Sequence, residues 1–195
     1  MRKLSLFAVA ATGLLAAGLF ADDVRKGKSG DEPFSDKMFV EKAAVGGMFE
    51  VKSSQVAQQM ATDTNVKTFA AHMVKDHTKA NQELMSLART KGWQLPTMLD
   101  QKHQDMLNQL SKKQSAEFDK AYMDIQVKAH DKTVALFEKA AENCKDADLK
   151  AWAKKTLPTL KEHQQMAKST GHHGHDRGTT TTTPPAGSTR RVPPR

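Results

Sequence analysis

Four ionisable side chains fall on stripes that are otherwise apolar: Glu50, His77, His130 and His163, one in each of four long stretches with helical periodicity. An imidazole or carboxylate taken out of water is costly unless it gains a partner, so one such group per helix implies an internal polar cluster or a metal site. Three imidazoles and one carboxylate suit zinc, copper or iron, whose ligands converge to about 2 Å. The competing reading is a structural network, in which each histidine donates to a neighbouring carboxylate or carbonyl and holds the helices in register. The sequence favours the network, with Glu50, His77, His130 and His163 as the metal ligands of the alternative. Asp76 and Glu162, each directly before a histidine, point about 100° away from it and read as solvated rather than as ligands.

The elements that must carry these residues follow from the apolar spacing. The first helix runs from Ser35 to about Ala61, with Ser35 or Asp36 as its cap and Phe39, Ala43, Gly46, Glu50, Ser53 and Ala57 on one stripe. The second starts near Asp63, presents Val66, Phe69, Met73, His77 and Leu84, and stops at Gly92. Residues 93–114, with Pro96 and a short helical piece from Asp100 to Leu110, make a connection long enough to travel the length of a bundle. The third helix spans about Ser115 to Cys144 and shows Met123, Val127, His130, Val134 and Phe137. After a break at Lys145–Asp146 the fourth shows Leu149, Trp152, Leu160, His163 and Ala167, with Pro158 expected to kink it. His163 falls past the middle of that helix, which weakens a site built from all four residues. No strand alternation occurs, so the class is all-α, a four-helix bundle over residues 35–168 with a long crossover between its second and third helices.

Gly46-Gly47 inside the first helix reads as tight helix packing before it reads as room for a ligand. The methionines Met48, Met60, Met73, Met123 and Met166 read as core filler rather than as soft-metal ligands. Cys144, the single cysteine, excludes an internal disulfide and reads as a buried, inert thiol.

The ends of the chain have a different composition. Arg2 and Lys3 precede an apolar run from Leu4 to Ala21 that turns polar at Asp22-Asp23, the layout of a secretory signal peptide, with a retained anchor as the alternative. Residues 22–34 read as a linker. Residues 169–195, with His172, His173 and His175, five consecutive threonines from Thr179 and paired prolines, read as a disordered tail. The formal charge of +8 is concentrated at these ends. With the leader and the tail from Lys168 set aside, residues 22–167 carry a balance of +2, which offers no footprint for nucleic acid. The partner surface that composition does offer is weak association with an envelope or membrane surface through Arg190, Arg191 and Arg195.

The run from Phe39 to Val51 (FVEKAAVGGMFEV), followed by Met73-Val74-Lys75-Asp76-His77, resembles the bacterial domain-of-unknown-function family DUF4142. Further matching residues are Phe118-Asp119-Lys120-Ala121-Tyr122, His130, and Leu157-Pro158 with His163. The resemblance covers roughly residues 35–168 and implies a ferritin-like fold and an exported, periplasmic or envelope-associated protein, without implying a reaction.

A ferritin-like fold invites a di-iron centre, and here the residues resist it. Such sites take a glutamate from each of two helices and a Glu-x-x-His pair from each of the others. Three positions before His77, His130 and His163 stand Val74, Val127 and Leu160, so the motif is absent and carboxylate ferroxidase chemistry is not expected. No activated serine or thiol, phosphate loop or paired catalytic carboxylate is visible either. The sequence therefore reads as a non-enzymatic exported protein with a structural Glu/His cluster, and in second place as a protein that sequesters or carries a transition metal on that cluster.

Overall fold

The structure is a computed structural model, and it describes residues 34–176. All regular structure among the described residues is helical: α1 Asp36–Met60, α2 Thr64–Lys91, α3 Gln101–Leu110, α4 Ser115–Asn143 and α5 Ala147–Asp176. The boundaries have local causes. The Ser35 side chain accepts from the Met38 amide, Asp63 from Asn65 and Asp100 from His103, each satisfying a donor that the first helical turn leaves free. Gly92 ends α2 in the left-handed region at φ 69°, which costs a residue without Cβ little. The proposed signal peptide, most of the linker and the tail beyond Asp176 lie outside the described residues. Beyond Lys168, α5 continues to Asp176, and so overlaps the start of the segment that composition assigns to the tail. Pro158 sits within that continuous helix.

α1 and α2 form one hairpin, α4 and α5 a second. Asp36, at the start of α1, reaches the turn after α4, and Asp119, near the start of α4, reaches the turn after α1, so α1 and α4 run antiparallel. Lys91 at the end of α2 pairs with Asp146 and Asp148 at the start of α5, so these two are antiparallel as well. Consequently α2 and α4 point the same way, and the chain must return along the bundle between them. Residues 92–114 make that return, with α3 lying against α1 and α4 and burying Leu110. The molecule is a ferritin-like four-helix bundle with a long crossover between its second and third core helices. No helix among the described residues is long and apolar enough to cross a membrane.

The two hairpins correspond residue by residue. Asp36 and Asp119 are 83 residues apart, and so are Asp63 and Asp146, the residues that begin α2 and α5. Asp119 accepts the Thr62 and Asp63 amides at 3.0 and 2.9 Å, and Asp36 accepts the Lys145 and Asp146 amides at 3.0 and 2.8 Å. Each hairpin's turn is thus held by a carboxylate from the other. The same offset pairs Phe39 with Tyr122, Phe69 with Trp152 and Ala57 with Ala140, all buried.

The core is divided along the bundle axis. At one end Phe39, Phe137 and Trp152 meet with ring centroids 5.0–6.0 Å apart, joined by Leu84, Leu149 and Leu160. At the other end Phe69, Phe118, Tyr122, Met73, Met123 and Leu110 pack together. Cys144 is buried in the first cluster, where burial and the Asp36 carboxylate push its thiol up to about 12, so it stays protonated. Between the two apolar clusters lies a polar layer.

Candidate metal centre

Each core helix sends a titratable side chain into that layer. α1 supplies Glu50, α2 His77, α4 His130 and α5 His163, and all four are buried, with relative exposures of 4, 6, 1 and 3%. The three histidine rings face one another with centroids 5.3–5.6 Å apart, and one nitrogen from each lies within 4.8 Å of the others. Glu50 is adjacent but does not belong to that close group. His130 acts on it electrostatically, and the Gln126 side chain hydrogen-bonds it. The expectation that His163 falls too far along its helix does not hold, because α5 runs to Asp176 and places His163 near its midpoint, level with His77 and His130.

The hydrogen bonds settle which ring nitrogens are free. His130 Nδ1 lies 3.0 Å from the Gln126 carbonyl, one turn back on α4; a carbonyl can only accept, so the proton is on Nδ1 and Nε2 keeps its lone pair. His163 Nε2 lies 3.1 Å from Asp76 Oδ2 and donates to that carboxylate, which leaves the Nδ1 lone pair. Neither His130 Nε2, His163 Nδ1 nor His77 Nε2 has a protein partner, although all three are buried. Orphaned buried acceptors are rare because each costs about 1–3 kcal/mol.

Electrostatics favours neutral rings at His77 and His163. Burial, then the neighbouring His130 and His163, push His77 well below the ordinary histidine value. Burial also lowers His163, while Asp76 pulls it back up. Glu50 is raised above the usual carboxylate value by burial, against the opposing pull of His130 and Gln126. Two of the three imidazoles, His77 and His163, thus resist a proton, beside a carboxyl group that favours its own. Further along, Gln126 Nε2 approaches Ser53 Oγ at 3.4 Å, and Ser54 Oγ bonds Tyr122 Oη at 2.8 Å.

Three imidazoles with a nitrogen each at this separation, two of the rings held from behind by a carbonyl and a carboxylate, match the donor set and outer partners of a transition-metal site. The residues present therefore fit a metal. They do not fit the di-iron pattern, because the close group contains no carboxylate.

Asp76 is the residue that sequence reasoning misplaced. The roughly 100° rotation that turns it away from His77 carries it toward α5, where it meets His163 while remaining partly exposed. Glu162 is exposed, as its position on α5 implies. Gly46 and Gly47 have different surroundings. A Cβ on Gly47 would fall 2.0 Å from Asn81 Oδ1, so this glycine serves close packing, whereas one on Gly46 would meet nothing within 4 Å. His103 on α3, which donates to Asp100, lies tilted against Phe49 with ring centroids 5.2 Å apart and is close enough to act on Glu50 from the outside.

The chain belongs to the DUF4142 family, a domain of unknown function whose profile matches residues 25–170. No curated protein matches it. Among solved structures, a Streptomyces coelicolor DUF305 protein described as a candidate secreted protein superposes with a TM-score of 0.61 at 10% identity, covering 70% of this chain and 91% of that one. CopM in its Cu(II)-bound form superposes with the same TM-score at 16% identity, covering 72% of this chain and 97% of CopM. At these identities the likeness establishes the fold.

Proposed function

We propose that this protein is an exported, non-enzymatic binder of a transition metal, held by His77, His130 and His163. The observation that carries the reading is a set of three buried histidines, each with a ring nitrogen that has no protein partner, and with one nitrogen from each ring within 4.8 Å of the others. Gln126 and Asp76 hold two of the rings so that the lone pairs remain available, the role such outer partners have in metal sites. Imidazole donors suit copper, zinc and iron. Copper comes first, because a protein of the same fold is described in a Cu(II)-bound form. Glu50 stands beside the triad and can join it or remain a neutral neighbour. Export is supported by the charged, apolar and then polar N-terminal pattern and by the description of the Streptomyces protein.

A purely structural cluster is favoured by one feature: His130 and His163 do each donate to a neighbouring carbonyl or carboxylate, as a network would require. That reading leaves the three remaining nitrogens unexplained, which is why metal binding ranks above it.

The two readings separate in one measurement on untagged protein carrying His172→Ala, His173→Ala and His175→Ala, so that the tail cannot chelate. One Cu(II) or Zn(II) per chain is expected, together with a rise in Tm worth about 2.7 kcal/mol when free metal exceeds Kd a hundredfold. His130→Ala should lower the affinity by more than about a hundredfold, beyond what loss of an outer partner costs. Protein that retains no metal and melts at one temperature regardless of added copper, zinc or iron returns the cluster to a structural role.

A further inference from the structure

All three rings of the triad are buried, so an ion that binds there must cross the wall of the bundle, and the surroundings of the layer differ in what closes them. Beside His130 stand Gln126 and the Phe69 ring. Behind His163 stands the Asp76 carboxylate, and α3 covers the α1 side at Phe49, against His103. Toward the Phe39–Trp152 end of the core the packing is interrupted by a slot of about 40 Å³, room for roughly three water molecules. It is partly open to solvent. Its lining passes from exposed Lys42 through half-buried Gly46 and Asn81 to buried Glu50 and His77.

The opening follows from side-chain size. Phe39, Gly46, Glu50 and Ser53 share the inward stripe of α1, and Phe39, Glu50 and Ser53 are buried on it. Gly46 leaves that stripe without a side chain, and a Cβ built there would meet nothing within 4 Å. Lys42 lies one turn before Gly46, and from Lys42 to Glu50 the slot follows α1 for about 12 Å at the helical rise. Facing this stretch, α2 presents Ala80, which is small, and Asn81, whose side chain rests against Gly47. Asn81, Thr133 and Thr156 put oxygen-bearing side chains along the slot, and such oxygens replace part of an ion's hydration shell on a narrow path.

We propose that this slot is the route by which a transition-metal ion reaches and leaves the three histidines, with Gly46 as its aperture and Lys42 as the charge the ion must pass. The inference rests on the three-histidine reading. His77 joins the two features, since it lines the slot and belongs to the triad. A path built into the folded state has a kinetic signature. Narrowing it slows entry and exit by the same factor and leaves the affinity where it was, because the aperture takes no part in the bound state. A lysine at the mouth repels a divalent cation over roughly the Debye length, about 10 Å at 0.1 M salt, so its removal speeds entry most at low ionic strength.

Full-length protein with His172, His173 and His175 replaced by alanine is mixed with copper(II) chloride in a stopped-flow instrument, and quenching of the Trp93 and Trp152 fluorescence follows uptake. Release is followed after mixing with excess EDTA. Lys42→Glu, a surface change, should raise the uptake rate about three- to tenfold in about 0.02 M salt, and the gain should vanish in about 0.5 M salt. Lys42→Gln should fall between, which separates the charge at the mouth from a new carboxylate ligand. Lys67→Glu, an exposed position near the start of α2 at the other end of the bundle, should match the parent. Gly46→Leu should slow uptake and release by about tenfold or more each, with the affinity unchanged within about threefold. Gly46→Ala, which fits without a clash and raises helix propensity, should fold like the parent and give intermediate rates. Rates that ignore both Lys42 and Gly46, or that follow each variant's rate of unfolding instead, overturn the proposal: the ion then enters elsewhere or by opening of the bundle. Retained copper with such rates overturns this inference alone, whereas copper that is not retained overturns the three-histidine reading and this one with it.

Discussion

The two helical hairpins are alike at their ends and unlike in their middles. Where they match, at Asp36 and Asp119 or at Asp63 and Asp146, the residues hold turns. Where they differ, the residues form the site: Glu50 corresponds to Thr133, His77 to Leu160, His130 to Gly47 and His163 to Ala80. A repeat that placed the same side chain in both hairpins would crowd the axis with paired buried polar groups. Alternating a large polar residue with a small or apolar counterpart instead leaves room for one triad of imidazoles. The shared positions therefore belong to stability, and the unshared ones to the polar layer that is proposed to bind metal.

The turns offer the largest effect with which to break this division. Asp119 is buried, accepting both turn amides and the Thr62 hydroxyl at 2.5 Å, whereas Asp36 serves a turn more open to water. Asp119→Ala should cost about 3 kcal/mol in urea unfolding and Asp36→Ala about half of that, since water can replace the exposed carboxylate. Neither should change the stoichiometry of bound metal. Equal losses, or metal lost together with the cap, would show that the ends and the middle are not separable.

Asp76 gives the next effect. It supports His163 from the first hairpin, and its counterpart Thr159 offers no such support to His77. Asp76→Ala should weaken metal binding about 10- to 100-fold in a competition titration, with Thr159→Ala close to the parent. If both variants bind like the parent, the Asp76–His163 bond is a surface contact without bearing on the triad.

Much of this architecture was legible in the residue pattern, because it depends on periodicity. Stripes at 3.6-residue spacing, the stop at Gly92 and the length of residues 93–114 are enough to derive four long helices and the crossover. The same stripes carried Glu50 and the three histidines inward. What escaped depends on neighbours that no single helix specifies. Asp76 looks solvated until α5 is beside it, and Trp152 reads as ordinary core until its indole nitrogen is found without a partner. The correspondence of the hairpins is hidden for a related reason: Phe69 and Trp152, or Ala61 and Cys144, share a buried environment rather than an identity. Gly46 and Gly47 were read together as packing, yet only Gly47 faces another side chain at close range.

Acid gives the smallest effect and tests the polar layer alone. His77 and His163 are lowered in the folded state, so below the ordinary histidine value of about 6.5 the unfolded chain binds protons that the folded chain refuses. Their contribution is complete above 6.5 and is lost as the pH falls toward their lowered values. Glu50 acts in the opposite sense: its raised value means that the folded chain keeps a proton the unfolded chain has released, a contribution present below 4.5 and lost as the pH rises through the raised value. With two imidazoles against one carboxyl, metal-free protein should lose about 1 kcal/mol between pH 7 and pH 5.5, read from urea midpoints at constant ionic strength. His77→Gln should flatten that dependence, and Glu50→Gln should steepen it by removing the opposing group. A parent protein whose stability does not change across this interval would mean that the imidazoles are solvated, which contradicts the burial on which the triad depends.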